Sequence, residues 1–230
     1  MLSTQSTALA ALPPIKKCSL HNTTCLTTQA GILKNYLING IPELGIECLH
    51  KMRIDDVNVK KMGLIYTMKN VEVEGLKDAV IDNLSVDMDL QTMRLSMQTS
   101  FIINSDYTAD GVLLTLPVNG DNKSTIRIND IKLELLILFD IVQNDEGHKI
   151  MQLTRYNYGF DVIGNTHYYY KNVYDNDEKK GKKLHSFLNE YWRTMTHTYG
   201  DTIVGNIADK IFNVLELYMA SQNLNDIATY

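Results

Sequence analysis

The chain has 230 residues, with 22 Lys and Arg against 27 Asp and Glu, a formal charge of −5, 44% apolar residues and 21% charged residues. That is a globular composition, neither disordered nor fibrous. It excludes a strongly basic nucleic-acid binder, because the longest lysine-rich stretch, EKKGKK at 178–183, is interrupted by Gly181 and follows Asp175 and Asp177. No window approaches eighteen uninterrupted apolar residues, so no segment reads as a transmembrane helix.

Residues 1–11 read as an N-terminal tail or processing remnant. They hold Ala8-Leu9-Ala10, a pattern like a signal-peptidase site, without a basic segment and a full apolar run before it. Residues 12–230 read as a single domain. Cys18 and Cys25 are seven apart beside a turn-like SLHNTT, and Cys48 stands alone. The spacing suits a small disulfide loop, which persists only in an oxidising compartment, and it lacks the paired CxxC units of a zinc site. Sequons at Asn22, Asn83 and Asn122 are candidate glycosylation sites and agree with secretion.

In LTTQAGILKNYLING, Ile32, Leu33, Tyr36 and Leu37 fall at helical spacing and the run stops at Gly40 and Pro42, which predicts one short amphipathic helix. From about residue 52 to 174 the period changes to two. Val86, Met88 and Leu90 alternate with Ser85, Asp87 and Asp89, and then Met93, Leu95, Met97, Thr99, Phe101 and Ile103 alternate with mostly polar neighbours. The pattern continues through Ile126 and Ile128, then Ile131, Leu133, Leu135, Ile137 and Phe139. Turn signals at Asn119-Gly120-Asp121 and at residues 144–147 predict antiparallel hairpins. Strands this long require a strongly twisted sheet, because a flat one would leave too much apolar face uncovered.

In the last third, Leu184, Leu188, Tyr191, Met195, Tyr199, Ile203, Ile207, Ile211, Val214 and Tyr218 recur at three- or four-residue steps with no proline after Pro117. This predicts one helix roughly 50 Å long, bent or loosened at Gly200 and Gly205. A long helix lying in a curved antiparallel sheet is an elongated α+β domain.

Catalytic and metal signatures are missing. The six histidines form no HxxxH or HxH pair, and there is no GxSxG, GxGxxG or GxxxxGK[ST]. The reading is therefore no metal, no cofactor and no enzyme, with Cys48 a buried structural thiol. Asp87 and Asp89 belong to a solvated outer face, and the HYYYKNVY run at 167–174 reads as an edge strand with one ring inward and the next outward. Of ten methionines, Met62, Met68, Met88, Met93, Met97 and Met151 fall in the strand region. Methionine lines adaptable apolar binding surfaces as well as loosely packed cores, so the pattern permits a pocket.

Several segments together resemble one known family: LPPIKKC at 12–18 with a second cysteine at Cys25, GIPELGI at 40–46, NVEVEGL at 70–76, DGVLLTLPVNGDNKSTIRINDI at 110–131, LNEYW at 188–192 and IADKIF at 207–212. Each stands in the order found in insect takeout and haemolymph juvenile-hormone-binding proteins of the tubular lipid-binding superfamily. The resemblance implies a secreted, extracellular carrier in haemolymph or a similar fluid. In it a long C-terminal helix is wrapped by a highly curved antiparallel β-sheet, with a short N-terminal helix and an internal apolar tunnel for a lipophilic ligand. By the same resemblance Cys18 and Cys25 form the N-terminal disulfide bond. The hormone-binding members carry a further cysteine pair in the C-terminal half, and this chain has no cysteine after Cys48, which brings it closer to takeout. Its ending, NVLELYMASQNLNDIATY, replaces the usual proline-containing tail.

The expected function is transport of an extended lipophilic small molecule such as a terpenoid, a fatty acid derivative or a quinone-like lipid. The alternatives are a juvenile hormone carrier proper, a lipid esterase, or a protein-interaction module with a filled core. Alternation and helical spacing place the ligand against Met68, Met88, Leu95, Met97, Phe101, Leu114, Leu133, Leu135 and Phe139 of the sheet. Leu33 and Leu37 of the first helix, with Tyr191, Met195 and Ile203 of the long helix, close the tunnel. A hydroxyl of Tyr66, Tyr156 or Tyr191 would fix a polar head group. The protein is expected to be a monomer with at most transient membrane or receptor contact, and nucleic acid is not a partner.

Overall fold

The structure, a computed structural model, describes residues 15–174 and 177–229. The expected tail at 1–11 lies outside the described residues. A two-residue strand, β1 (Cys18–Ser19), leads into helix α1 (Thr23–Asn39), whose N-terminus is capped by the Asn22 side chain accepting from the Cys25 N–H at 3.0 Å. The inward stripe of α1 carries Leu26, Leu33, Leu37 and Ile38, and it is turned away from Ile32 and Tyr36, which are 38% and 40% exposed. Leu33 and Leu37 of the predicted stripe thus face the interior and the other two do not.

Strands β2 (Met52–Arg53), β3 (Val57–Lys61), β4 (Leu64–Glu74), β5 (Val80–Asp87), β6 (Thr92–Leu113), β7 (Leu116–Gln143) and β8 (Lys149–Tyr170) follow. They form one antiparallel sheet, in which β4, β6, β7 and β8 are successive neighbours. One edge of β6 is shared by β5 and β4, and the far edge of β4 is shared by β2 and β3. A straight strand of 28 residues, the length of β7, would run about 90 Å. The sheet curls instead, and the register slips between Lys69 and Glu72, Ile81 and Asn83, Thr99 and Phe101, Asn129 and Ile131, and Leu138 and Phe139. The third slip brings β6 against the turn after β4. Gly75 there has φ +137°, and a Cβ on it would lie 2.0 Å from the Ser100 carbonyl oxygen, while the Thr99 hydroxyl donates to the Gly75 carbonyl at 2.7 Å.

Helices α2 (Glu178–Glu190), α3 (Trp192–Tyr199) and α4 (Asp201–Ala220) lie across the inner face, followed by α5 (Leu224–Ile227) and β9 (Ala228–Thr229), which pairs in parallel with β1. The single long helix expected is therefore three helices. The chain leaves helical geometry at Tyr191 (φ −98°, ψ 26°) and breaks again at Gly200. Gly205 lies inside α4 without breaking it and instead makes room for a strand residue, since a Cβ there would meet the Tyr158 hydroxyl at 2.7 Å. That hydroxyl donates to the Asp201 carboxylate at 3.0 Å and ties β8 to the start of α4.

The alternating apolar residues of β6 and β7 form the core. Phe101, Ile103, Ile131, Leu133, Leu135 and Ile137 are fully buried, as are Val204 and Ile207 of α4. Three local expectations are corrected. Asn119-Gly120-Asp121 is not a turn but lies inside β7 opposite Asp110, Ala109 and Thr108; the hairpin turns at Leu114-Thr115, with Leu114 at φ +54°. The second turn does fall at 144–147, closed by the Asn144 side chain accepting from the Glu146 and His148 N–H groups. Leu90 does not continue the buried alternation, because β5 ends at Asp87, whose carboxylate accepts the Leu90 N–H; Leu90 is 71% exposed. Cys48 is free but exposed rather than buried, since its neighbours Ile46 and Leu49 take the inward positions.

Candidate ligand-binding site

Two apolar cavities lie between the sheet and the helices. The larger, of about 170 Å³, is bounded by α1, by β5 and β6, by the second half of α4 and by the C-terminal α5–β9 segment. The smaller, of about 80 Å³, lies under the far half of the sheet, against α2, α3 and the start of α4. α4 contributes Ile203 to the smaller cavity and Ile211 to the larger, two turns or about 12 Å apart. Ile207, fully buried, lies between them on the same helix.

Leu33 and Leu37 of α1, with Leu95 and Met97 of β6, line the larger cavity, and Met195 and Ile203 line the smaller one. Met68, Phe101, Leu133, Leu135 and Phe139 point inward as the alternation requires, but they are buried in side-chain packing and form no part of either wall. Met88 and Leu114 are half-buried in the turns after β5 and after β6. Tyr191 is corrected outright: it occupies the α2–α3 break, is 47% exposed and has its ring 4.9 Å from that of Phe187.

The walls also hold residues that the sequence pattern did not single out as ligand contacts. In the larger cavity these include Ile211, Val214 and Tyr218, which continue the helical stripe of Ile203 at α-helical spacing, and Met93 and Met151, which continue the strand alternation. Leu224 and Ile227 come from a four-residue helix too short to show a period. Cys18 lines the same cavity, and its disulfide bond to Cys25, with Cα atoms 5.8 Å apart, fixes the chain before α1 to that helix.

The smaller cavity has hydroxyls in its wall. The Tyr168 hydroxyl lies 2.9 Å from Thr196 Oγ1, which in turn donates to Thr166 Oγ1 at 2.9 Å. Tyr170 donates to the Tyr66 hydroxyl at 3.3 Å, and the Tyr107 hydroxyl donates to the Lys171 carbonyl at 2.9 Å. Burial holds the Tyr66, Tyr168 and Tyr170 hydroxyls well above the ordinary phenol range and pushes Tyr107 up to about 12, so all four stay protonated donors. Of the head-group candidates, only Tyr66 lines a cavity. Tyr156 instead donates to Asp209 of α4 and stacks on Phe212 at 4.7 Å between ring centroids, which fastens β8 to the helix. The expected inward and outward alternation in the tyrosine run holds: Tyr168 is buried and Tyr169 is 50% exposed on edge strand β8.

The sequon asparagines occupy three settings. Asn22 is the α1 cap, Asn83 is half-buried and donates to Ser85 at 3.3 Å, and Asn122 is exposed on β7. Among the described residues, no cluster of His, Cys, Asp or Glu could hold a metal ion, and no helix is long and apolar enough to cross a membrane.

Comparison with known proteins agrees with this architecture. The profile of the family described as haemolymph juvenile hormone binding protein matches residues 1–228. Circadian clock-controlled protein daywake of Drosophila melanogaster is 24% identical over 196 residues, covering 79% of this chain and 74% of that protein, and daywake of Drosophila yakuba matches equally. The crystal structure of Epiphyas postvittana Takeout 1 has a TM-score of 0.91 at 25% identity and covers 94% of this chain and 100% of its own. With a curved antiparallel sheet closed over C-terminal helices, an N-terminal disulfide and a profile match along nearly the whole sequence, the chain belongs to the haemolymph juvenile hormone binding protein family, whose members are ligand-binding carrier proteins.

Proposed function

We propose that this chain is a secreted, non-catalytic carrier that binds and transports an extended lipophilic small molecule, such as a terpenoid, a fatty acid derivative or a quinone-like lipid. Residues 12–230 act as one binding domain and as a monomer, with transient membrane or receptor contact at loading and delivery. The observation that carries this reading is the larger cavity, whose wall is mostly aliphatic and methionine side chains and includes residues of α1 and of the C-terminal segment. The family match and the disulfide support an extracellular setting.

Apolar burial supplies the affinity. A lipid that loses on the order of 400 Å² of apolar surface to the protein gains roughly 10 kcal/mol, and an association cost of about 4 kcal/mol, the low end of its range, leaves roughly 6 kcal/mol, a dissociation constant of some tens of micromolar. The smaller cavity, with its tyrosine and threonine hydroxyls, suits a second and more polar part of a long ligand. Such a ligand spans both chambers only if the packed side chains around Ile207 move aside.

Organic extraction of the purified protein followed by lipid mass spectrometry tests the reading, together with uptake of N-phenyl-1-naphthylamine. Stoichiometric recovery of an apolar lipid, or saturable probe fluorescence displaced by such a lipid, is the expected result. A protein that yields no lipid and takes up no probe would favour an interaction module with a filled core.

A further inference from the structure

Two hairpins turn at the same end of the sheet. β3 and β4 are joined by Met62-Gly63, β6 and β7 by Leu114-Thr115, and the Val112 N–H donates to the Gly63 carbonyl at 3.0 Å, so the two tips are in contact. Met62 has φ +52°, Gly63 φ +86° and Leu114 φ +54°. That backbone region suits Gly, Asn and Asp, and a bulky apolar side chain in it costs stability. Each tip thus carries, at a strained position, a residue that the turn itself does not favour.

The strain coincides with exposed apolar surface. Met62 is 67% exposed, Ile65 51% and Val112 40%. Ile65 stands opposite Asp110, two residues before Val112, so Ile65 and Val112 are diagonal neighbours on the outer face. On the inner face of the same tips, Leu64, Leu113 and Val118 line the smaller cavity. Lys60, opposite Ile65 on β3, and Lys61, beside Met62, are both exposed, with Asp110 on the other side of Ile65. Lys61 donates to the Thr198 carbonyl at 3.0 Å, which holds it at this end of the molecule.

We propose that these two tips form a docking surface for an anionic phospholipid bilayer, with Met62, Ile65 and Val112 entering the acyl boundary and Lys60 and Lys61 meeting the phosphates. This rests on the carrier reading above and assigns its membrane contact to one end of the sheet. A bilayer fits better than a protein partner. A stable protein interface takes about 800 Å² from each side, far more than three such side chains expose, whereas apolar side chains on protruding turns can enter a lipid surface singly. Two lysines against one aspartate give this end a local positive excess on a chain of net charge −5, which favours an anionic leaflet. Docking there sets the end of the smaller cavity against the bilayer from which a lipid is loaded or to which it is released.

The test is co-sedimentation of the full chain with vesicles of phosphatidylcholine and about 30% phosphatidylserine. The unaltered protein should bind them, and the triple variant Met62→Asn, Ile65→Thr, Val112→Thr should bind at least about tenfold more weakly. Leu90→Asn changes a 71% exposed leucine in the turn at the opposite end of β6 and should bind as the parent does. Met62→Asn alone should weaken binding yet melt no lower than the parent, because Asn suits the turn, whereas a merely structural Met62 would leave binding unchanged. A parent that ignores the vesicles, equal binding by parent and triple variant, or loss of binding in Leu90→Asn overturns the proposal. Dimerisation of the parent that the triple variant abolishes in the absence of vesicles would assign the surface to a second copy and overturn it too. Uptake of N-phenyl-1-naphthylamine without vesicles reads the carrier function separately, and the triple variant should match the parent in it. A parent that takes up the probe but ignores vesicles loses only the docking surface; one that binds vesicles but takes up no probe removes the carrier reading and leaves the surface standing.

Discussion

Cys18 lies directly opposite Ala228 in a parallel ladder, and through its disulfide to Cys25 it joins the last strand of the chain to the first turn of α1. The Leu20 N–H donates to the Thr229 carbonyl at 2.8 Å and extends the pairing by one bond. Cys18, Leu20, Leu224 and Ala228 are all buried and all line the larger cavity. The segments at 18–20 and 224–229 therefore close together the chamber that they help to form.

Opening that clamp should cost stability and retention of ligand together. In the loop-entropy account, replacing both cysteines by serine costs roughly 2 to 3 kcal/mol. Ending the chain after Gln222 removes α5 and β9, exposes the far wall of the cavity and should shorten the residence time of a bound probe several-fold. Urea unfolding and probe dissociation rates measure the two effects. A truncated chain that holds the probe as long as the parent would show that the segment is only appended to the cavity.

Cysteine accessibility separates the three thiols. Cys48 is free and exposed, so iodoacetamide should label it in the folded protein, whereas Cys18 and Cys25 should label only after reduction. Peptide mapping by mass spectrometry reads both results. A link from Cys48 to either of the others would contradict the fold at the first cavity.

The Tyr168–Thr196–Thr166 chain makes an asymmetric prediction. Thr196→Val leaves two buried hydroxyls unpaired and should cost about 2 to 3 kcal/mol, whereas Tyr168→Phe leaves the Thr196–Thr166 bond in place and should cost about 1 kcal/mol. Urea midpoints of the two variants and of the double variant measure the coupling. Equal losses from the two single changes would mean that the chain is not continuous.

His185 predicts the direction of a pH effect. Its Nε2 lies 3.0 Å from the Tyr170 nitrogen and its ring stacks on Tyr169, with centroids 5.3 Å apart. Burial, the largest cause, holds the imidazole below its usual value of 6.5, and the neighbouring His167 acts in the same direction. The unfolded chain then binds the proton more readily than the folded one. This contribution to stability is complete above about pH 6.5 and declines as the pH falls from there towards the lowered folded value. The melting temperature should drop between pH 7 and 5, and His185→Gln should remove part of that drop; an unchanged pH profile in the variant would exclude His185 as the source.

Much of this architecture is legible in the sequence because it is periodic. The buried positions Ile126 and Ile128 are even-numbered and Ile131 through Phe139 are odd, and that change of phase marks the register slip between Asn129 and Ile131, where Asp130 takes φ +57°. The hairpin turn is hidden for the opposite reason: Leu114-Thr115 has no turn chemistry, and the Asn-Gly-Asp that has it is held extended by pairing along its whole length with β6. The helical stripe also reads straight through Tyr191, since a break of one residue does not disturb the spacing on either side.

The cavity walls are less legible than the inward face. Alternation tells which side chains point inward, but it cannot tell which of them meet another side chain and which meet empty space. Phe101 and Leu95 obey the same pattern, and only Leu95 reaches a cavity. The difference lies in what stands opposite each of them across the interior, and pieces as short as α5 and β9 leave no period to read.

That distinction can be measured on one strand. Met97 lines the larger cavity, so Met97→Asp places an unpaired carboxylate in its wall, and uptake of N-phenyl-1-naphthylamine should fall at least about tenfold. Val80, paired with Gln98 beside it and 61% exposed, offers the same substitution at the surface, and Val80→Asp should leave uptake within about twofold. Phe101→Asp falls in closed packing and should prevent folding rather than selectively weaken binding, visible as loss of the cooperative thermal transition. Val86→Phe gives a companion that does not depend on charge: Val86 is half-buried in the wall of the same cavity, and the larger ring occupies space that the probe needs while the fold is retained. Lower uptake by Val86→Phe at unchanged circular dichroism, together with the Met97→Asp loss, locates the probe in this chamber; full uptake by both variants would place it elsewhere.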